Sequence, residues 1–141
     1  MSTTDTANTV LSGPGLTNAI AGDLTSFTVT LYDSGNNQRT SGGDNVVVTI
    51  TSTSHNITAI QVTDNNNGTY TVNYIVTDAT PIYTITVIVN GNIANEKTST
   101  LTVVANNPDP LVSVLTATSP VTMDTSITYT INALDSWSNI V

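Results

Sequence analysis

The sequence holds no cysteine. Disulfides, zinc–thiolate centres and cysteine nucleophiles are therefore excluded. Histidine occurs once, as His55. A Ser-His-Asp triad would have to use it, and a two-histidine metal site cannot form. Lysine and arginine total two, Arg39 and Lys97, against ten acids, for a formal net charge of -8. Nucleic-acid binding needs a basic footprint that two cations cannot supply. An anionic lipid surface repels such a chain for the same reason. No apolar run approaches the ~20 residues of a membrane span, so direct membrane insertion is not expected. The start, Met1-Ser-Thr-Thr-Asp-Thr6, lacks the cationic region and apolar core of a signal peptide. The chain is accordingly expected to be intracellular or cut from a longer precursor.

What is abundant is small and polar: 29 Thr, 17 Asn and 13 Ser in 141 residues. The threonines fall at alternate positions. Phe27, Val29 and Leu31 alternate with Thr28 and Thr30, and Val46, Val48 and Ile50 with Val47 and Thr49. Tyr70, Val72, Tyr74 and Val76 alternate with Thr71, Asn73 and Ile75, and Tyr83, Ile85, Val87 and Val89 with Thr84 and Thr86. Period 2 marks half-buried strands, and β-branched residues suit their outer face. No stretch carries a 3.6-residue apolar stripe. Gly- and Asn-rich turns at 12–15, 42–44, 64–68 and 90–92 separate the runs.

This spacing predicts strands A near 7–12 with a continuation near 16–20, B 24–32, C 45–51, D 57–63, E 69–77, F 82–89 and G 98–104. Seven short strands in about 100 residues indicate an all-β fold, a seven-stranded antiparallel immunoglobulin-like sandwich. Phe27 and Tyr70 are expected in its core. Tyr83 stands where a tyrosine corner would anchor the E–F connection.

After strand G, Ala105-Asn-Asn-Pro-Asp-Pro110 reads as a stiff linker. The chain then begins again. Tyr129-Thr-Ile131-Asn-Ala133 echoes Phe27-Thr-Val29-Thr-Leu31, Asp135-Ser136 echoes Asp33-Ser34, and Asn139 falls on Asn37, all at an offset of 102. The expected organisation is a complete repeat over 1–106, then a linker and strands A and B of a truncated second copy over 107–141. Two strands cannot close a core, yet Val112, Val114, Leu115, Ile127, Tyr129 and Ile131 call for burial. The tail is accordingly expected to be a fragment of a longer array, with an intersubunit strand or a disordered tail as alternatives.

Gly13-Pro-Gly-Leu16, Phe27-Thr-Val29, Gly42-Gly-Asp44 and, above all, Val62-Thr-Asp-Asn-Asn-Asn-Gly-Thr-Tyr-Thr-Val-Asn-Tyr74 resemble the filamin-type immunoglobulin repeat. The resemblance covers about residues 8–104 and resumes near 110. Two places depart from the pattern: Pro81-Ile82 replaces the glycine before the strand F tyrosine, and Glu96-Lys97-Thr98 replaces the Ser-Pro-aromatic entry to strand G. The resemblance implies a rod-forming or scaffolding module that binds partner peptides along the strand C–D groove. With no actin-binding domain here, actin binding is not carried over. On this reading strands C and D are the two edges of one open groove, with Asn45, Val47, Thr49, Thr51, Ala59, Gln61 and Thr63 as its binding residues. A partner strand would add there by main-chain hydrogen bonds. Neither strand carries the Lys or Pro that commonly guards an edge. A proline at Val47 is expected to abolish binding and spare the fold.

Other chemistry is thinner. Asp64 to Gly68 has a faint calcium-loop flavour, but position 75, where an EF-hand places its closing acid, is Ile75. A D–E turn explains these residues better. Asp23, Asp78, Asp109 and Asp135 fall near the expected interdomain hinge and could together hold Ca²⁺, the one cofactor considered. The bland alternative is solvated acids. Asn56-Ile-Thr58 and Asn67-Gly-Thr69 are N-glycosylation sequons in expected loops. His55 reads as a solvated loop residue, and Trp137 as one that packs on its own completed domain. No pair of carboxylates or other catalytic motif stands out, so no enzyme activity is expected. Two functions follow: a non-enzymatic spacer and protein-interaction module from a filamin-like array, or a cell-surface adhesion or stalk repeat that binds partners, carbohydrate or its own copies. Scarce Lys and Arg, abundant Thr and the sequons pull toward the surface. Zero Cys and no signal peptide pull toward the cytoskeletal cytoplasm.

Overall fold

A computed structural model describes residues 3–79, 81–117 and 128–141. The chain divides into two compact units, 1–104 and 105–141. The first contains nine strands: β1 (Thr4–Ser12), β2 (Asn18–Ile20), β3 (Leu24–Asp33), β4 (Val46–Thr51), β5 (Asn56–Ile57), β6 (Ile60–Asp64), β7 (Thr69–Ile75), β8 (Tyr83–Val89) and β9 (Lys97–Val104). They form two sheets, ordered β1-β3-β7-β6 and β2-β9-β8-β4-β5. Only β2 pairs in parallel, Ala19 lying opposite Val103 of β9; the other pairings are antiparallel. This is the immunoglobulin-like sandwich that the alternation implies.

The core follows the period-2 parity. Phe27, Val29 and Leu31 of β3, Tyr70, Val72 and Tyr74 of β7, Tyr83, Ile85 and Val87 of β8 and Leu101 of β9 are all buried. Burial of these side chains is the main favourable term in the fold. Phe27 and Tyr74 meet edge to face at 6.3 Å. The Tyr74 hydroxyl donates to the Gly15 carbonyl, and burial pushes its pKa up to about 12. At the E–F connection the Tyr83 hydroxyl donates to the Asp78 carbonyl at 3.4 Å, the corner expected of it.

The expected strand D does not run as one piece. Residues 56–57 pair with β4, opposite Ile50 and Thr51, whereas residues 60–64 pair with β7 in the other sheet. The chain changes sheets at Thr58-Ala59. The apolar spacing carries the reason: Ile57 and Ile60 are three apart, which breaks the period of 2 where the strand crosses.

The second unit holds β10 (Val114–Ala117) and β11 (Tyr129–Asn132), an antiparallel pair with Leu115 opposite Ile131. Val114, Leu115, Tyr129 and Ile131 are 48–73% exposed, so the burial they call for is not met within the unit. Val112 is half-buried, and Ile127 lies outside the described residues. Trp137 is half-exposed.

Candidate functional site

The free edge of β4 is set by its register. The Asn90 N–H donates to the Asn45 carbonyl at 2.7 Å, so Asn45 faces β8. Backbone groups alternate sides along an antiparallel strand. Val47, Thr49 and Thr51 therefore also turn toward β8, and Val46, Val48 and Ile50 turn away from it. The other flank agrees: the Ser52 N–H donates to the His55 carbonyl, and Ile50 lies opposite Ile57. Because β5 spans only Asn56–Ile57, the N–H and C=O groups of Val46 and Val48 have no strand beside them among the described residues.

Side chains have the same parity. Val46 and Val48 point inward, half-buried, as do Ile60 and Val62 of β6 at the edge of the facing sheet, and all four pack against the core. They sit at the facing edges of the two sheets, where β4 and β6 come together. Of the residues assigned to the groove from sequence, Asn45, Val47 and Thr49 are exposed and Thr51 half-buried, and all lie on the outer face of one sheet. Gln61 and Thr63 are exposed on the outer face of the other, with Ala59 exposed in the crossing just before β6. Outward residues of two facing sheets point apart, so the two sets do not line a common surface. The opposite parity was already visible in the alternation of valine with threonine.

The entry to β4 is held from several sides. Asp64, at the end of β6, accepts N–H groups from Gly43 at 2.8 Å and Asn66 at 2.8 Å. These backbone donors, together with the Tyr70 hydroxyl, hold its pKa below the ordinary carboxylate value against a smaller opposing effect of burial. A side chain at position 42 would collide with this carboxylate, which accounts for Gly42. The Tyr70 hydroxyl accepts the Asp44 N–H at 2.9 Å. Burial and the nearby charges of Asp64 and Asp44 outweigh that bond and raise the Tyr70 pKa. The Asp44 carboxylate accepts Thr4 Oγ1 at 2.8 Å and Asn90 Nδ2 at 2.7 Å, and Asn90 Oδ1 accepts the Asn45 N–H at 2.9 Å. A strand fixed in this way loses little entropy when a partner adds to it. Sequence reading missed this grip because its members, Thr4, Asp44, Asp64, Tyr70 and Asn90, are scattered along the chain.

The remaining candidates are placed as follows. Among the described residues, no three His, Cys, Asp or Glu side chains group closely enough to hold a metal. Asp23 lies in the β2–β3 turn, and the Asp78 carboxylate stands 3.4 Å from His55 Nδ1 in the β7–β8 connection. In the second unit, Asp109 Oδ1 accepts the Leu111 N–H. Asp135, fully buried, accepts N–H groups from Asn106, Trp137 and Asn139 and the Asn139 side-chain amide. Burial opposes its charge, but the donors prevail and its pKa is lowered. Its oxygens are thus occupied by protein donors. Asn56 is exposed on β5. Asn67 is exposed in the β6–β7 turn, where its Oδ1 accepts the N–H and hydroxyl of Thr69.

A two-sheet sandwich of this strand order, open at the β4 edge, defines an immunoglobulin-like repeat. The model of the filamin/ABP280 repeat matches residues 3–98, and the chain belongs to that family. Filamin repeats are non-catalytic structural and protein-interaction domains. The E3 ubiquitin-protein ligase TRIM71 of Xenopus tropicalis is 43% identical over 68 residues, 48% of this chain and 8% of that protein. This chain therefore spans a small part of that relative. Among solved structures, the Lin-41 filamin domain superposes with a TM-score of 0.53 at 20% identity, over 67% of this chain and 91% of its own. The Escherichia coli adhesin FdeC gives 0.65 at 19% identity, over 97% of this chain and 43% of its own. At these identities the structural likeness is one of fold.

Proposed function

We propose that this chain is a spacer and protein-interaction repeat that takes up an extended partner segment by strand addition at β4. The observation that carries the reading is the outward-facing backbone groups of Val46 and Val48, which no described strand pairs, beside the half-buried side chains of Val46, Val48, Ile60 and Val62. Strand addition draws affinity from main-chain bonds and specificity from alternate side-chain positions. The test is to pan a random peptide library on the 141-residue chain and map the binders by amide chemical shift. Binders should shift Val46 and Val48 most and fail against Val48→Pro. Binders that leave both amides unmoved would sink the reading.

A second reading places the repeat in a surface stalk or adhesin. It is supported by the acidic, cation-poor composition and by the fold shared with FdeC. Intact-mass analysis of native material for glycans on Asn56 and Asn67 separates the two readings. Occupied sequons favour the surface.

A further inference from the structure

The β4 edge is asymmetric, and the asymmetry says what should occupy it. At one end stand Asp44, two residues before β4, and Asp64, the last residue of β6. They are neighbours in space: the Gly43 N–H binds Asp64, and Tyr70 links Asp64 to the Asp44 backbone. All the donors to these two carboxylates are hydroxyl, amide or backbone N–H groups. None is a cation, so both negative charges remain uncompensated by their partners. Each residue is also partly exposed. Of the two cations in the sequence, Lys97 is turned to the Ala7 carbonyl, and Arg39 packs its backbone against Gly68 in the β6–β7 turn without being among the groups that shift the Asp64 pKa.

The other end is different in kind. There β5 already occupies the edge at Ile50 and Thr51, and His55 faces Asp78 at 3.4 Å. A partner strand is stopped at this point, and only Val46–Thr49 remain for it. At the strand rise this is roughly 13 Å of edge.

Resting on the strand-addition reading, we propose that the occupant is a short extended segment, about five residues long, with apolar β-branched side chains at alternate positions and lysine or arginine at the end beside Asp44 and Asp64. The edge supplies the main-chain bonds, the half-buried valine and isoleucine side chains of β4 and β6 meet the alternate side chains, and the acid pair selects the flank. Attraction of this kind acts within about 10 Å at 0.1 M salt and fades as salt rises.

The test uses three synthetic peptides with the same Thr-Val-Thr-Val-Thr centre: one flanked by two lysines at its N-terminus, one at its C-terminus, and one with two glutamates. Titrations follow the amide signals of the 141-residue chain. One lysine peptide should bind about fivefold more tightly than the glutamate peptide at low salt, an advantage of the size that exposed charges give. The advantage should vanish at 1 M salt and shrink in Asp44→Asn, whose amide retains an acceptor for Thr4. Val48→Pro should remove binding of all three. Equal affinity of lysine and glutamate peptides, with Val46 and Val48 still shifted, overturns the charge selection and leaves strand addition standing. Lysine-peptide binding that survives Val48→Pro overturns it as well, because it reports diffuse attraction to an acidic surface. If none of the three peptides shifts Val46 or Val48, strand addition itself fails.

Discussion

Asp135 holds Asn139 through backbone and side chain together. Its N–H donates to the Asn139 carbonyl at 2.9 Å, and its Oδ1 accepts the Asn139 N–H at 2.9 Å and Nδ2 at 3.1 Å. Asp33 and Asn37 make the same three bonds, at 2.9, 2.9 and 3.1 Å. In both turns the residue before the asparagine has positive φ, 60° at Asn36 and 67° at Ser138. An isolated bridge follows each, Tyr32 with Gln38 and Leu134 with Ile140. The same turn therefore forms twice, 102 residues apart, once beside a sandwich and once beside a two-stranded ribbon.

Asp33→Ala removes the acceptor for the Gly35 and Asn37 N–H groups and the Asn37 amide. It should destabilise the first unit by about 0.5–1.5 kcal/mol, the net worth of a typical hydrogen bond, because Gly35 and Asn37 are exposed and water can take the place of the carboxylate. Urea unfolding at pH 7 measures this. An unchanged midpoint would mean that the flanking strands hold the turn without the carboxylate.

Asp64 should make the β4 entry sensitive to acid. Its folded pKa lies below the ordinary value of 3.8, mainly through the Asn66 and Gly43 N–H bonds. A carboxylate with a depressed folded pKa stabilises the fold above its unfolded pKa, and that contribution is lost as pH falls through the folded pKa. The Gly43 and Asn66 amide signals should therefore titrate with a midpoint below 3.8, and Asp64→Asn should abolish the transition. A midpoint at or above 3.8 contradicts the bonding described.

The strands were legible because burial imposes parity. Phe27, Tyr70 and Tyr83 sit inside as their alternation requires, and Tyr83 makes its corner. Parity also bears on the groove: Val47, Thr49, Gln61 and Thr63 are the outward set, and Val46, Val48, Ile60 and Val62 the inward one that packs on the core. Strand D reads as continuous because Thr58 and Ala59 suit either sheet, and the Ile57–Ile60 spacing alone betrays the crossing. The grip on Asp44 depends on contacts 26 to 46 residues apart in sequence, which no local pattern encodes.

Phe27 is 2% exposed and packs edge to face on Tyr74. Phe27→Ala should cost about 3–5 kcal/mol, through lost transfer energy and the cavity left behind. Thermal unfolding of the variant reads this directly. A loss under 1 kcal/mol would mean that the core collapses around the gap.

Gly68 adopts φ +80°, and a side chain there would strike the Arg39 carbonyl. Gly68→Ala should destabilise the first unit by more than the roughly 1 kcal/mol at stake where alanine fits the native backbone, because both conformation and contact oppose it. Denaturant midpoints of Gly68→Ala and Gly43→Ala make the comparison. Gly43 also has positive φ, +99°, but open space around its missing Cβ. Equal losses in the two variants would show that the Arg39 contact adds nothing.

The last prediction separates two neighbouring valines. The Val48 N–H faces the open edge, and the Val47 N–H faces β8 by the alternation that starts at Asn45. Proline lacks the N–H and is tolerated in a strand only where that group is not used. Val48→Pro should therefore keep the fold, with a melting temperature within a few degrees of the parent, because no ladder bond is lost. Val47→Pro removes a bond of the β4–β8 ladder and should destabilise the first unit by at least the roughly 1 kcal/mol that a backbone hydrogen bond contributes, clearly more than Val48→Pro does. This reverses the expectation that a proline at Val47 leaves the fold intact. The register carries the difference, since a shift of one residue would exchange the two outcomes. Parallel melts of the two variants therefore decide which face of β4 is free, before any partner is known.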